Sequence, residues 1–144
     1  MTIIIKSALV PYSAAQMFVL VADVGSYSSF LPWCKASEVL SRDDHGMQAS
    51  VTLSKAGIEK TFVTRNLHQQ DKEIEMQLIE GPFKQLEGFW RFEQLGDMGS
   101  KVTLDLEFSF SSTMLDKVVG PIFTQIANSL VDSFQKRAVE VYGE

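Results

Sequence analysis

The spacing of apolar residues over the last thirty positions predicts a long amphipathic helix. Apolar side chains recur three and four residues apart, which gives one apolar face and one polar face. They are Ile122, Phe123, Ile126, Ala127, Leu130, Val131, Phe134, Ala138 and Val141. Gly120-Pro121 is expected to interrupt the first turns. Ser112 or Thr113 is the expected N-cap, and Asp116 lies three residues after Thr113. A helix of about 33 Å from residue 121 to 142 needs a large apolar surface to pack on.

The chain before this helix predicts a strand, a short helical part and six further strands. Ser13 and Gln16 have the capping-box spacing that begins a helix, and a second turn is expected from Tyr27 to Phe30. Beyond Pro32 the period changes from helical to twofold. The predicted strands are Thr2–Val10, Ala36–Leu40, Met47–Leu53, Ile58–Asn66, Ile74–Leu78, Leu86–Phe92 and Val102–Phe110. Turns are expected at residues 42–46, 70–72 and 80–82.

These elements together predict a single α+β domain over residues 1–144, in which a curved antiparallel sheet of about seven strands wraps the last helix. A twisted sheet and a straight helix leave space between them, so an apolar cavity is expected there. Eleven residues are candidates for its lining, although the same pattern is typical of any core. They are Phe30, Trp33, Met76, Leu78, Phe83, Trp90, Leu104, Leu106, Phe123, Ile126 and Leu130.

Composition narrows the classes of function. The net charge of −5 argues against a nucleic-acid-binding protein whose affinity rests on bulk positive charge, and no DNA partner is expected. The single cysteine, Cys34, excludes an intramolecular disulfide, and the two histidines supply no zinc spacing. The N-terminal residues lack a secretory pattern, and no apolar run is long enough to cross a bilayer. We therefore expect a cytoplasmic protein that requires no metal and has no integral membrane segment.

A basic patch is the second candidate site. Lys55, Lys60, Arg65 and Lys84 lie at strand ends and turns that the order of strands can bring together. Such a patch would contact RNA phosphates, or it is a solvated rim that keeps sheet edges from pairing. Phe89 alternates with charged residues on its strand, so it is either a partner contact or a scattered surface residue.

Catalysis finds little support in the sequence. His45 lies in an Asp-Asp-His-Gly turn, and His68 has no nucleophile at a recognisable spacing. Cys34 has no evident basic neighbour to lower its pKa, so we interpret it as a buried, inert thiol. No glycine-rich phosphate loop is present. We therefore predict a non-enzymatic protein.

Four separated motifs resemble one known family. They are residues 23–34 with Tyr27 and Phe30-Leu31-Pro32-Trp33-Cys34, residues 54–66 with Ser-Lys-Ala-Gly and Thr-Arg-Asn, residues 80–92 with Gly-Pro-Phe-Lys, and Phe134 to Tyr142. The chain resembles, nearly end to end, the coenzyme Q-binding family of the START-like polyketide cyclase superfamily. Within it, residues 54–57 and 81–84 are similar to the ribosome association toxin branch, whereas Trp33 is similar to the quinone-binding branch.

The resemblance implies a START-like, Bet v-type helix-grip fold and two activities. The toxin branch is described as binding the large ribosomal subunit and preventing subunit association, which would inhibit translation. The quinone-binding branch implies ubiquinone or another lipid in the cavity, a role in respiration and contact with the inner membrane surface. We expect the first activity, and the second is the alternative.

Overall fold

The computed structural model describes residues 1–143 and consists of one antiparallel sheet packed against a long helix. The strands are β1 (Thr2–Val10), β2 (Cys34–Asp43), β3 (Gly46–Lys55), β4 (Ile58–Gln69), β5 (Glu73–Glu80), β6 (Phe83–Gln94) and β7 (Ser100–Phe110). Their order across the sheet is β1-β7-β6-β5-β4-β3-β2, and every neighbouring pair is antiparallel. The predicted helix-grip class is therefore confirmed. The domain predicted for residues 1–144 ends at Glu144, which lies outside the described residues.

The strands after β1 extend beyond the bounds that the sequence predicts. β2 runs to Asp43 and β3 starts at Gly46, so the turn predicted over residues 42–46 consists of Asp44 and His45 alone. Asp43 makes this tight turn possible, because its Oδ1 accepts the backbone N–H groups of His45 (2.8 Å) and Gly46 (3.1 Å). Because the turn is this short, the charged residues Arg42 and Asp43 remain in the hydrogen-bonded ladder of β2. Strand propensity alone does not predict this extension, since aspartate is depleted in strands.

The short helical part forms as predicted at its start. Helix α1 (Ala14–Ala22) begins with a complete capping box, in which Ser13 Oγ accepts the Gln16 N–H and Gln16 Oε1 accepts the Ser13 N–H. A 3₁₀ helix (Val24–Ser29) follows it. The 3₁₀ helix ends at Ser29, before Leu31 and Pro32, and the side chain of Leu31 is buried.

The C-terminal helix divides where glycine and proline predict a break. Helix α2 (Thr113–Val118) is followed by α3 (Gly120–Tyr142). Ser112, one of the two expected N-caps, is the N-cap of α2, and its Oγ accepts the Leu115 N–H. Asp116 Oδ1 accepts the Phe110 N–H at 3.0 Å and joins α2 to the end of β7.

The core lies between the concave face of the sheet and α3. Phe123, Ile126, Ala127, Val131, Phe134 and Ala138 form the buried face of α3. On β7 buried and partly exposed residues alternate along the whole strand, as the twofold pattern predicts. A smaller buried cluster of Val24, Leu31, Cys34, Met47, Ala49 and Val51 lies under the 3₁₀ helix and β2. Over residues 1–143, no helix combines the length and the apolar character that crossing a bilayer requires.

Candidate functional site

A cavity of about 90 Å³ lies between α3 and the concave face of the sheet. Its lining is almost entirely apolar, and β3, β4, β6, β7 and α3 all contribute to it. The lining residues are Val24, Tyr27, Trp33, Ala49, Val51, Phe62, Thr64, Asn66, Met76, Leu86, Trp90, Leu104, Leu106, Phe123, Leu130 and Phe134. The space expected between a twisted sheet and a straight helix is therefore present, and it is small.

Seven of the eleven predicted residues lie in this lining. They are Trp33, Met76, Trp90, Leu104, Leu106, Phe123 and Leu130. The other four are packed in or against the core, outside this lining. Phe30 packs against Phe134 at 5.5 Å between ring centroids, and Phe83 stacks on Phe110 at 4.7 Å. Ile126 is buried on α3, and Leu78 is half-buried on β5.

Sequence analysis missed nine of the lining residues, and the two polar ones with buried side chains, Thr64 and Asn66, lie on β4. Thr64 and Asn66 point inward and are buried, and Thr64 Oγ1 donates to Asn66 Oδ1 at 2.8 Å. Both belong to β4, whose two faces are hard to rank by polarity from the sequence alone. Their positions in the strand could have indicated that they face the cavity, because even-numbered residues from 58 to 68 share one face and Phe62 is among them. A buried threonine and asparagine on that face make it look solvated in the sequence.

Trp33 contributes a further polar group to the lining, in addition to Thr64 and Asn66. Its Nε1 is buried and has no hydrogen-bond partner within residues 1–143. A buried indole N–H usually finds an acceptor. The Trp33 N–H and the Asn66 side chain are therefore the two groups of the lining that are able to orient a molecule carrying an acceptor oxygen.

Tyr27 closes the cavity on the side of the 3₁₀ helix. Its hydroxyl donates to the backbone oxygen of Val21, and its ring lies edge-on to Phe134 at 5.5 Å. Burial, with a smaller contribution from Asp23, raises the pKa of Tyr27 far above its ordinary value. Tyr27 therefore stays neutral and serves as packing rather than as an acid or a base.

The predicted basic patch divides into two parts. Lys60 and Arg65 are five residues apart on β4, so their side chains lie on opposite faces of the sheet. Arg65 Nη2 pairs with Asp43 Oδ2 at 2.7 Å on the convex face. Lys55, Lys60 and Lys84 instead lie at one end of the sheet, where β3 ends and where β4 and β6 begin. Arg65 therefore does not join the other three.

Phe89 lies on the convex face with Arg91, as the alternation on its strand predicts. The side chain is half-buried, and the Arg91 guanidinium covers its ring at 4.7 Å from the centroid. Arg91 in turn contacts Glu73 and Asp105 at 3.5 and 3.1 Å. Because this network covers the ring, Phe89 is less available to a partner than its position in the sequence suggests.

Of the residues weighed for catalysis, His45 and His68 are neighbours joined by a backbone hydrogen bond, whereas Cys34 lies at the other end of β2. Cys34 is buried, and burial raises the pKa of its thiol, so the thiolate form is disfavoured. His68 packs edge-on against Phe18 at 5.5 Å, outside the cavity lining. Within residues 1–143, no three His, Cys, Asp or Glu side chains are grouped so as to hold a metal ion. The apolar cavity and the lysines at the end of the sheet are therefore the two candidate sites.

A family model and two named relatives each match most of the chain. A family model described as polyketide cyclase / dehydrase and lipid transport matches residues 10–135. The ribosome association toxin RatA of Vibrio cholerae is 49% identical over 139 residues, and that of Pseudomonas aeruginosa is 45% identical over 138; each match covers 96% of both chains.

Two further comparisons are more distant. The mitochondrial coenzyme Q-binding protein COQ10 homolog B of Xenopus laevis is 30% identical, and the match covers 96% of this chain and 58% of that one. The crystal structure of the Zhui aromatase/cyclase from a Streptomyces species superposes with a TM-score of 0.85 at 16% identity, covering 99% of this chain and 98% of that chain. This last likeness concerns the fold alone.

Proposed function

The chain belongs to the polyketide cyclase / dehydrase and lipid transport family, and from that membership and its toxin relatives we propose that it acts on the ribosome. In this proposal the protein binds the large ribosomal subunit, prevents its pairing with the small subunit and thereby inhibits translation. The observation that carries the proposal is the identity of 45–49% to two ribosome association toxins over 96% of the chain. The action requires binding and no chemical step, so in this proposal the protein is not an enzyme.

The size of the cavity supports an activity of the outer surface. An apolar cavity of about 150 Å³ accommodates benzene, and the cavity here measures about 90 Å³. A benzoquinone ring with its substituents and polyprenyl tail is larger than benzene. Such a molecule is therefore larger than this cavity, whereas binding a ribosomal subunit does not use the cavity.

Sedimentation of ribosomal subunits tests the proposal directly. Purified large and small subunits are brought to association conditions with and without the protein, separated on a sucrose gradient and blotted for the protein. We expect paired ribosomes to decrease and the protein to travel with the large subunit. Unchanged pairing, with the protein remaining at the top of the gradient, would contradict the proposal.

A second candidate function is the binding of ubiquinone or another polyprenyl lipid in the cavity, at the surface of the inner membrane. The specific observation is the unpartnered Trp33 Nε1 in an otherwise apolar lining, with the Asn66 side chain in the same cavity. A quinone carbonyl is an acceptor of the kind that the Trp33 N–H lacks. The distant coenzyme Q-binding relative supports this candidate less strongly than the toxin relatives support the first.

Filling the cavity separates the two candidates. Ala49→Leu places a larger side chain in the lining, whereas Ala36→Leu makes the same change at an exposed position of β2. If the protein acts on the ribosome, both variants inhibit subunit pairing equally. If it carries a quinone, Ala49→Leu alone loses the quenching of tryptophan fluorescence by added ubiquinone. Loss of the effect on subunit pairing in Ala49→Leu alone, with the fold retained by circular dichroism, would contradict an action through the outer surface.

A further inference from the structure

Antiparallel pairing collects four lysines at one end of the sheet. The start of β2, the β3–β4 turn and the β5–β6 turn all lie at this end, because neighbouring strands run in opposite directions. The lysine end, as we define it, consists of the turns there and the three residues of each adjoining strand. Its charged residues are Lys35, Lys55, Glu59, Lys60, Glu80 and Lys84. Positive charge therefore exceeds negative charge at this end.

The opposite end of the sheet has the reverse balance. By the same definition, the acidic end comprises the β2–β3, β4–β5 and β6–β7 turns and the three residues of each adjoining strand. Its charged residues are Arg42, Asp43, Asp44, Asp71, Lys72, Glu73, Glu75, Glu93, Asp97 and Lys101. The net charge of −5 is therefore unevenly distributed, and carboxylates predominate at this end.

Distance makes the two ends electrostatically independent. β3 has ten residues and joins one end to the other, so at about 3.3 Å per residue the ends lie about 30 Å apart. Exposed charges are largely screened beyond about 8 Å at physiological ionic strength. A polyanion that approaches the lysine end therefore experiences the local positive charge and little repulsion from the acidic end.

Three of the four lysines are available to a ligand. Lys35 pairs with Glu59 at 2.6 Å, but within residues 1–143 Lys55, Lys60 and Lys84 form no ion pair. Lys84 is exposed at an irregularity between β6 and β7. Lys55 and Lys60 are half-buried on neighbouring strands, with Lys60 directly opposite Leu53. Their stems pack on the protein and leave the ammonium groups for water or a partner.

We propose that the lysine end is the surface that contacts the ribosome, and that its direct partners are phosphates of ribosomal RNA. This inference rests on the proposed function and names the surface that carries it. Lysine ammonium groups bind phosphate as point charges without reading base sequence. The same three lysines then position the protein on folded RNA, with the acidic end turned away from the subunit.

Salt dependence of binding tests the surface and the chemistry together. The triple variant Lys55→Gln, Lys60→Gln, Lys84→Gln removes three positive charges from the lysine end. The matched control Arg42→Gln, Lys72→Gln, Lys101→Gln removes three from the acidic end, so both variants have the same net charge. Affinity for purified large subunits is measured over a series of KCl concentrations for the wild type and both variants.

We expect the lysine-end variant to bind at least tenfold more weakly. Its plot of log affinity against log salt should be less steep by about three, because three phosphates are no longer neutralised by the protein. The control keeps the wild-type slope. Weaker binding with an unchanged slope would indicate an interface with ribosomal protein and overturn the inference, as would equal reductions of affinity in the two variants. Failure of the wild type itself to bind large subunits would instead contradict the proposed function, and this inference with it.

Discussion

At the scale of single residues, His68 is an ionisable side chain whose charged form the fold opposes. Its Nε2 is buried without a partner within residues 1–143, and the Phe18 ring packs against it. Burial lowers the pKa of His68, and the positive charges of Arg42 and Arg65 lower it further. Folding therefore favours the neutral imidazole.

This lowered pKa predicts a loss of stability in mild acid. The unfolded chain binds a proton near the ordinary histidine pKa of about 6.5, whereas the folded protein resists it until a lower pH. The free energy of unfolding should therefore fall as the pH decreases through about 6.5. Urea unfolding from about pH 8 to about pH 5 measures this loss. The loss of stability should be smaller in His68→Gln than in the wild type, and it should equal the wild-type loss in His45→Gln, since His45 is exposed. Equal losses in the wild type and both variants would contradict the assignment of this effect to His68.

At the scale of elements, the β2–β3 hairpin shows how a turn positions two neighbouring strands. Gly46 begins β3 with φ of +155°, and a Cβ there would overlap the backbone oxygen of Asn66 on β4. The His68 N–H donates to the His45 oxygen at 2.7 Å, which joins the turn to the same neighbour. The hairpin thus depends on close approach to β4, and β4 carries the polar residues of the cavity.

Gly46→Ala should therefore destabilise the protein by about 3 kcal/mol, because the backbone must move or adopt a strained conformation. Gly25→Ala is the matched control, since a Cβ at Gly25 meets no heavy atom within 4 Å. That control should change stability by about 0.5 kcal/mol or less. Chemical denaturation with urea measures both values. Similar values for the two variants would show that the hairpin tolerates a side chain at Gly46.

At the scale of the whole molecule, α3 connects the two buried clusters. Phe134 is 1% exposed, and its ring lies edge-on to Tyr27 and Phe30 at 5.5 Å and to Trp90 at 5.3 Å. Tyr27 and Phe30 pack on both clusters. At the far end of the helix, Tyr142 Oη donates to the Gln16 oxygen at 2.8 Å and ties α3 to α1.

Phe134→Ala should therefore cost about 3–5 kcal/mol of unfolding free energy, the usual range for removing a buried phenylalanine. Because Tyr27 and Phe30 still pack on both clusters in this variant, it should unfold in one transition, followed equally by tryptophan fluorescence and by circular dichroism. Val139→Ala, at a 43% exposed position of the same helix, should cost about 0.5 kcal/mol or less. Two separated transitions in Phe134→Ala would show that the clusters unfold independently.

The order of elements and the fold class could be determined by the sequence alone. The helical period of residues 113–142, the twofold period of β7 and the Ser13–Gln16 capping box are local patterns, and each depends on residues only a few positions apart. The apolar lining was partly predictable for the same reason, since Leu104 and Leu106 belong to the dry face of β7 and Trp90 to that of β6.

Only the tertiary structure decided what these elements enclose and expose. The size of the cavity depends on how closely α3 approaches the twisted sheet, and that distance is the result of many side-chain contacts. The burial of Thr64 and Asn66, the pairing of Arg65 with Asp43 and the placement of Lys55, Lys60 and Lys84 at the same end of the sheet depend on which strands are neighbours and in what register. Register joins residues far apart in the chain, and for that reason local patterns do not determine it.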